Sequence, residues 1–345
     1  MSANPPRVSV VTTVYNGERF LAEAIESILG QTFGDFEYIL VDDASSDSSP
    51  RILQHYAHQD RRILVLRNSS NCNVSCALNR ALETASGEYF ANLDQDDIAY
   101  PRRLELQVAF LDSHPEVAAV GAQAISMDAT GALNHPLTYA QSPEMARWSI
   151  LFGAPILHST AMMRRSQVLA VGGYPVRQWF VNDFILYAEL MRSRQLANLP
   201  DTLVSYRRHG QQTASVFSKP QRGQAWLLIH SLLAERLGLR VSLSDIGLIF
   251  DGVRGVALQD DVALLRAADL LTVIWERYLA VEQPDPATTD EIDADCARRL
   301  LAMAWVHRRS QRTASRVLLS RALALDPRLW QRPQTCALLR RLRHK

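Results

Sequence analysis

The 345-residue sequence has no uninterrupted apolar run of the roughly 18 residues that a helix needs to cross a bilayer. Its opening, MSANPPRVSV, lacks the basic-then-apolar order of a signal peptide, so a cytoplasmic location is expected. Four cysteines are too few for a disulfide framework, and Cys72 and Cys76 have no second pair at zinc-ligand spacing. They are expected to be reduced helix residues. A net charge of +1 excludes a general case for nucleic-acid binding, so partners have to be argued from sites. A glycine-rich phosphate loop is also missing: the stretch after the first apolar run, TTVYNGE, carries only Gly17.

From Val8 to Leu93, short β-branched runs (VSVVTTV, YILV, ILVL and YFANL) alternate with segments of helical period at 18–29, 50–58 and 74–85. That alternation predicts parallel βαβ units. Ser49 before Pro50 reads as an N-cap and an N1 proline, and Gly87 as the stop of the third helix. Open α/β sheets bind ligands at the carboxyl ends of their strands, and polar clusters fall there at 13–16, 42–47 and 94–97. A mixed segment follows to about Tyr206, with a helix at 101–113, a strand near 117–122 and a helix holding 184–192. Beyond Phe217 the apolar spacing is three and four, so a helical region is expected, interrupted by PDPATTD at 284–290. The expected division is an α/β domain over 1–215 and a helical region over 216–345. RTASRVLLSRALALDP is similar to one helix of a tetratricopeptide-type unit, but one copy makes no array, and an ordinary helical subdomain is expected.

Asp94, Asp96 and Asp97 place three carboxylates in four residues. Like charges this close raise one another's pKa unless they share a cation, and oxygen-only ligands suit Mg²⁺ or Mn²⁺ with positions left for diphosphate oxygens. The bland alternative is a solvated turn ahead of Pro101. A second pair, Asp42 and Asp43, ends YILVDD and is expected to face the same crevice, one pair serving a metal diphosphate and the other a neutral ligand such as a base or ribose.

With these residues in view, the chain resembles a family 2 glycosyltransferase of the GT-A fold, of the bacterial, non-processive type. The resemblance rests on VSVVTTVYNGERFLAEAIESILGQTFGDFEYILVDDASSDSS, NCNVSCALNRALETASGEYFANLDQDD, HSTAMMRRSQVLAVGGYP, NDFILYAELMRS and YRRHGQQTAS, in order over about 7–215. It implies a Rossmann-like, mostly parallel sheet flanked by helices, a nucleotide-sugar donor with UDP as the nucleotide, Mn²⁺ or Mg²⁺, and inversion at the anomeric carbon. It further implies Thr13 and Tyr15 bordering the nucleotide, Asp43 accepting the uracil N3 proton, Asn79 on the donor side, and Asp94 and Asp96 as the Asp-x-Asp element meeting ribose and metal. Asp97 extends that element, and the residues leave open whether Asp96 or Asp97 is the direct ligand. Asp183 matches the general base. Asn182 stands where the family commonly has glutamate, and an acceptor-side role is implied for it and for Gly173 and Tyr174. His209 would approach the metal or diphosphate, with Arg207 and Arg208 neutralising phosphate charge. Asn73 replaces a usual glycine and is expected to be neutral, since asparagine tolerates the left-handed conformation.

Two other classes compete. A nucleotidyltransferase would share the sheet and the carboxylates but should carry the missing glycine-rich loop. A non-catalytic sugar- or partner-binding module would leave the acidic and base positions without purpose. A processive synthase is disfavoured because Glu144–Trp148 is only a look-alike of the Gln-x-x-Arg-Trp element. Donor sugar and acceptor are unread; a saccharide or lipid-linked acceptor in surface polysaccharide or glycolipid assembly is expected. The segment 308–345 holds eleven Lys or Arg against one acid, Asp326, interleaved with Val317, Leu318, Leu325, Leu338, Leu339 and Leu342. It fits either peripheral contact with an anionic inner-membrane face or an apolar stripe packed on preceding helices with solvated arginines.

Overall fold

The computed structural model describes residues 5–212, 218–254 and 258–331, with the single positions 216, 256, 333, 335, 336 and 338. The chain divides into two compact units, Met1–Ser149 with Ala154–Gln224, and Ile150–Gly153 with Ala225–Lys345.

The first unit is built on one mixed sheet, with strands β1 (Val8–Val14), β2 (Phe36–Asp42), β3 (Ile63–Arg67), β4 (Tyr89–Asn92), β5 (Ile98–Ala99), β6 (Val117–Met127), β7 (Leu133–Leu137), β8 (Met162–Arg164) and β9 (Gln195–Arg207). Their order is β3-β2-β1-β4-β8-β6-β9-β5, with β7 paired to β6. The half β3-β2-β1-β4 is parallel, as the βαβ alternation requires. β8 then runs antiparallel to both β4 and β6. Helices α1 (Leu21–Leu29), α2 (Ser49–Gln59), α3 (Val74–Thr84), α4 (Arg103–Ser113), α5 (Pro143–Ser149), α6 (Arg165–Ala170) and α7 (Asn182–Leu190) complete this unit.

The register explains the core. Val8, Val10 and Val14 of β1, Tyr38 and Leu40 of β2 and Tyr89 and Ala91 of β4 lie in one buried cluster with Leu21, Ala24, Ile25 and Ile28 of α1. The α1 residues recur at three and four, so a single helix face covers the parallel half. Each fully buried Leu, Ile or Val there contributes about 1.5–3 kcal/mol.

Local expectations need correction at four points. The first helix begins at Leu21 rather than 18, because residues 16–18 are committed to hydrogen bonds with the neighbouring loop. Ser48, not Ser49, precedes α2, and the Ser49 hydroxyl instead accepts from Gly17 N at 2.9 Å. Ala85 terminates α3, while Gly87 lies so close to β1 that a Cβ there would fall 2.6 Å from Ser9 N. Asn73 is more than neutral: with φ 77° it caps α3, accepting from Ser75 N and Cys76 N.

The second unit is helical: α8 (Ser218–Leu237), which begins at the end of the first unit, α9 (Leu243–Arg254), α10 (Asp261–Glu282), α11 (Pro286–His307) and α12 (Arg312–Leu325). PDPATTD breaks the chain only at its start, since Asp285 caps α11 through Ala287 N and Thr288 N and Pro286 already belongs to the helix. α10 buries Leu264, Ala267, Ala268, Leu271, Ile274 and Tyr278, and α11 and α12 bury alanine- and leucine-rich faces of the same period. Within the basic C-terminal stretch Leu318 and Leu338 are buried and Val317 is exposed; Leu339 and Leu342 lie outside the described residues. No described helix is long and apolar enough to cross a membrane.

Candidate functional site

Because β2, β1 and β4 are parallel neighbours, their carboxyl ends bring the three polar clusters to one edge. At the end of β1, Thr13 is half-buried, and Tyr15 just beyond the strand is exposed. At the end of β2, the two aspartates part company. Asp42 is turned into the fold, accepting from Ser45 N and pairing with Arg67 Nε at 3.2 Å, so it serves the turn and not a ligand. Asp43 is also buried, but its carboxylate is a built acceptor: Asn68 Nδ2 (2.7 Å) and Cys72 N (3.1 Å) donate to Oδ1, and the Cys72 thiol points at the same oxygen. Arg80 donates to Asn68 Oδ1, which fixes that amide with its nitrogen toward Asp43. Burial pushes the Cys72 thiol up to about 12, with the Asp43 carboxylate adding to it, so this cysteine is a donor and not a nucleophile.

After β4 come the three carboxylates. Asp97 is fully buried: Oδ1 accepts from Arg207 N at 2.8 Å, while Oδ2 is enclosed without a hydrogen-bond partner of normal geometry. Burial first, then the charges of Asp96 and Asp94, push its carboxyl well above the ordinary range. Asp96 Oδ2 lies 2.7 Å from His209 Nε2, which places His209 in the cluster. Among the described residues no three His, Cys, Asp or Glu side chains form a metal cage by themselves. One or two carboxylates with open positions is nevertheless the donor set a Mg²⁺ or Mn²⁺ diphosphate takes, and a buried carboxylate oxygen that lacks a hydrogen bond of normal geometry fits a hard cation.

Arg207 does not serve phosphate. Its side chain is buried, donating to Asp96 O and Glu23 Oε2 with its guanidinium 4.4 Å over the Phe20 ring. Arg208 is exposed, with its backbone N–H on Met127 O.

Two residues that sequence reasoning passed over organise this centre. His158 stands at the head of the HST stretch, its Nδ1 3.6 Å from Asp94 Oδ1 and its Nε2 3.1 Å from Tyr174 Oη. Burial disfavours its charged form, but Asp94, with Asp183 behind it, outweighs that and raises its pKa. Reciprocally, burial works against ionised Asp94, yet His158, Asn92 and Ser159 hold its carboxyl below the ordinary value. Arg103 is fully buried beneath, donating to Asn92 O and Gln107 Oε1; burial lowers its pKa to about 10, and it stays a cation opposite Asp94 and Asp97. Only the placement of a buried arginine at the start of a helix after the acidic loop could have signalled it.

On the other side, Gly172 and Gly173 have φ of 89° and 74°, so the turn before Tyr174 demands residues without a Cβ. Asn79 donates to Tyr174 O and accepts from Tyr174 N, both at 2.8 Å, so its amide holds this turn. Asp183 opens α7, where the helix dipole favours an acid, and Asn182 Oδ1 accepts from its N–H. Asn182 Nδ2 and Tyr187 Oη are buried without hydrogen-bond partners. Burial raises the Asp183 carboxyl, with Asp94 adding to the effect and His158 opposing it.

A parallel sheet half with acidic loops at its carboxyl edge, continued by mixed strands that carry a second carboxylate at a helix start, is the arrangement of the GT-A glycosyltransferases. Comparison with known proteins agrees. Residues 9–172 match Glycosyl transferase family 2. A Bacillus subtilis (strain 168) protein, EpsE, described as a glycosyltransferase, is 42% identical over 171 residues, covering 49% of this chain and 60% of EpsE. The chain thus spans under two thirds of that relative. The amylovoran biosynthesis glycosyltransferase AmsE of Erwinia amylovora is 30% identical over 206 residues, 58% of this chain and 75% of AmsE. Among solved structures, S. aureus TarS 1-349 in complex with UDP-GlcNAc superposes with TM-score 0.57 at 18% identity over 94% of this chain and 92% of that one. The mannosyltransferase PcManGT of Pyrobaculum calidifontis, in complex with GDP-Man and Mn²⁺, gives 0.54 at 20% over 96% and 89%. The chain belongs to glycosyl transferase family 2.

Proposed function

We propose that this glycosyltransferase moves a hexosyl or N-acetylhexosaminyl group from a UDP-sugar to a hydroxyl acceptor with inversion, with a divalent metal bound, in surface polysaccharide or glycolipid assembly. The observation that carries the reading is the cluster of Asp94, Asp96 and the fully buried Asp97 in one loop, with Asp97 Oδ2 lacking a hydrogen bond of normal geometry, together with a raised Asp183 carboxyl at the start of α7. The UDP-GlcNAc complex of TarS and the GDP-Man and Mn²⁺ complex of PcManGT support a nucleotide-sugar donor and a metal; the name of AmsE supports polysaccharide assembly.

In this reading Asp43, already oriented by Asn68 and Cys72, accepts an N–H from the base, with Thr13 and Tyr15 beside it. Asp94 would meet the ribose, and one or both of Asp96 and Asp97, with His209 against Asp96, would hold the Mn²⁺ or Mg²⁺ and leave positions open for the diphosphate; the bound ion would neutralise charge on that leaving group. Asp183 takes the acceptor hydroxyl proton. A carboxylate whose pKa is raised toward the working pH is the stronger base for that transfer. Asn79 acts through Tyr174, and Gly173, Tyr174 and Asn182 shape the acceptor side. A lipid-linked acceptor would bring the chain to an anionic membrane; since Leu318 is buried, the exposed Val317 and Trp330 and the surrounding arginines are what would meet it.

The test is incubation with a panel of nucleotide sugars, Mn²⁺ and candidate acceptors. Released nucleoside diphosphate is expected; pyrophosphate would establish a nucleotidyltransferase, and no turnover with metal-independent nucleotide binding would establish a binding module.

A further inference from the structure

Gln95 sits between the carboxylates of Asp94 and Asp96, yet its side chain turns away from them toward the loop after β1. Tyr15 N donates to Gln95 Oε1 at 3.0 Å, and Gln95 Nε2 donates to Tyr15 O at 3.2 Å. Both polar atoms of one amide are therefore spent on the donor and the acceptor of a single backbone residue, as a neighbouring strand would spend them. The loop after β1 is fastened to the loop after β2 several times over, through Asn16 N on Ser45 Oγ, Ser46 N on Asn16 Oδ1, Gly17 N on Ser49 Oγ and Glu18 N on Asp47 Oδ2. Toward the carboxylate loop the situation differs. Among the described residues, the two bonds of Gln95 are what joins 15–18 to 94–97.

Gly17 completes the arrangement. A Cβ there would fall 2.7 Å from Gln95 Cδ and closer still to Oε1. Gly17 is not among the left-handed glycines, so an alanine would suit its backbone, and what a side chain there would displace is the amide lying against it. The sequence thus keeps the space that the clamp occupies.

We propose that Gln95 is a positioning residue for the donor: it fixes the nucleotide-side loop to the carboxylate loop so that base and diphosphate meet two surfaces already in register. The proposal rests on the reading of 94–97 as the diphosphate side of a donor site. Pre-set loops save the ordering that binding would otherwise impose, so the clamp acts on donor affinity and not on the chemical step. Gln95→Met keeps the bulk and removes both hydrogen bonds. Gln95→Glu keeps acceptance from Tyr15 N but sets a carboxylate against Tyr15 O. Gly17→Ala leaves every Gln95 atom in the chain and displaces the amide.

The test is calorimetric titration of UDP with Mn²⁺, steady-state turnover of a UDP-sugar, and thermal unfolding, on the full chain and these variants, with Asp96→Ala alongside. Loss of two net hydrogen bonds predicts about tenfold weaker UDP binding and about tenfold higher donor KM for Gln95→Met, with kcat within about twofold. Gln95→Glu should bind more weakly than Gln95→Met. Gly17→Ala should match Gln95→Met, and the double variant should be no worse than either single, because both remove one clamp. Wild-type affinity and KM in folded Gln95→Met would overturn the proposal, as would multiplicative losses of about a hundredfold in the double variant. If Gly17→Ala does not fold, the two Gln95 variants decide alone. Should Asp96→Ala keep metal-dependent UDP binding, the reading of the loop fails; should it lose binding while Gln95→Met binds normally, the Gln95 proposal alone fails.

Discussion

Asp183 and Asp97 are two acids whose carboxyls burial pushes up, and the consequence differs because of where each sits. Asp183 stands at a helix start, and proton acceptance requires its ionised form. A folded pKa above the ordinary aspartate value therefore moves the acidic limb of the kcat profile upward: activity should climb with pH through a midpoint above about 4. Asp183→Asn is expected to lower kcat by roughly two to four orders of magnitude while UDP affinity, measured by calorimetry, stays within a few-fold. Unchanged turnover would remove Asp183 from the mechanism. Asp97 carries a strain on the fold instead. Because its folded pKa lies above its unfolded one, the folded state holds the proton more tightly, and stability from this group is fully present below the unfolded value and lost as pH rises through the folded one. Without metal, Asp97→Asn should raise the thermal midpoint by a few degrees at pH 8, with the gain shrinking toward pH 4. A variant less stable than wild type at pH 8 in chelator would show that Asp97 is held by contacts and not by a cation.

At the level of elements, the parallel half is readable because β1, β2 and β4 are short, largely β-branched or aromatic runs, almost wholly buried and flanked by helices of clear period, and that pattern places 13–16, 42–47 and 94–97 on one edge. The strands from β5 onward were less readable. β8 is three residues long and runs antiparallel between β4 and β6, a placement decided by tertiary packing that no local pattern encodes. The same limit applies to side chains. Asp42 and Asp43 are adjacent and identical in type, but the strand ends between them, and one pairs with Arg67 while the other reaches Asn68 and Cys72. His158 and Arg103 escaped notice since their importance comes from partners 64 residues away in one case and burial in the other. The turn at 172–174 yields an element-scale prediction. A Cβ at Gly173 would meet Asn79 Oδ1 at 2.6 Å and would sit at φ 74°, so Gly173→Ala should displace Tyr174. Acceptor KM is expected to rise by about tenfold or more while donor KM holds; an effect on donor KM alone would place this turn on the other side of the reaction.

For the whole molecule, family membership and the GT-A fold are carried by the first unit, while the helical unit is stabilised by its own alanine- and leucine-rich faces and capped helices. Burial of Leu318, Leu319 and Ala322 of α12 favours packing as the use of that apolar stripe. With that stripe packed, a membrane contact would rest on the arginines alone, so the proposed lipid-linked acceptor predicts salt-sensitive vesicle co-sedimentation that depends on the residues beyond 308; equal recovery in the supernatant of the full chain and a chain ending before Arg308 would exclude membrane contact. Everything proposed for the donor side depends on 94–97 holding a divalent cation against a nucleoside diphosphate. The most direct measurement is calorimetric titration of UDP into the full chain in Mn²⁺ and again in excess chelator. Binding in Mn²⁺ is expected, abolished by chelator and absent from Asp96→Ala; equal affinity in both buffers would contradict a metal-held diphosphate.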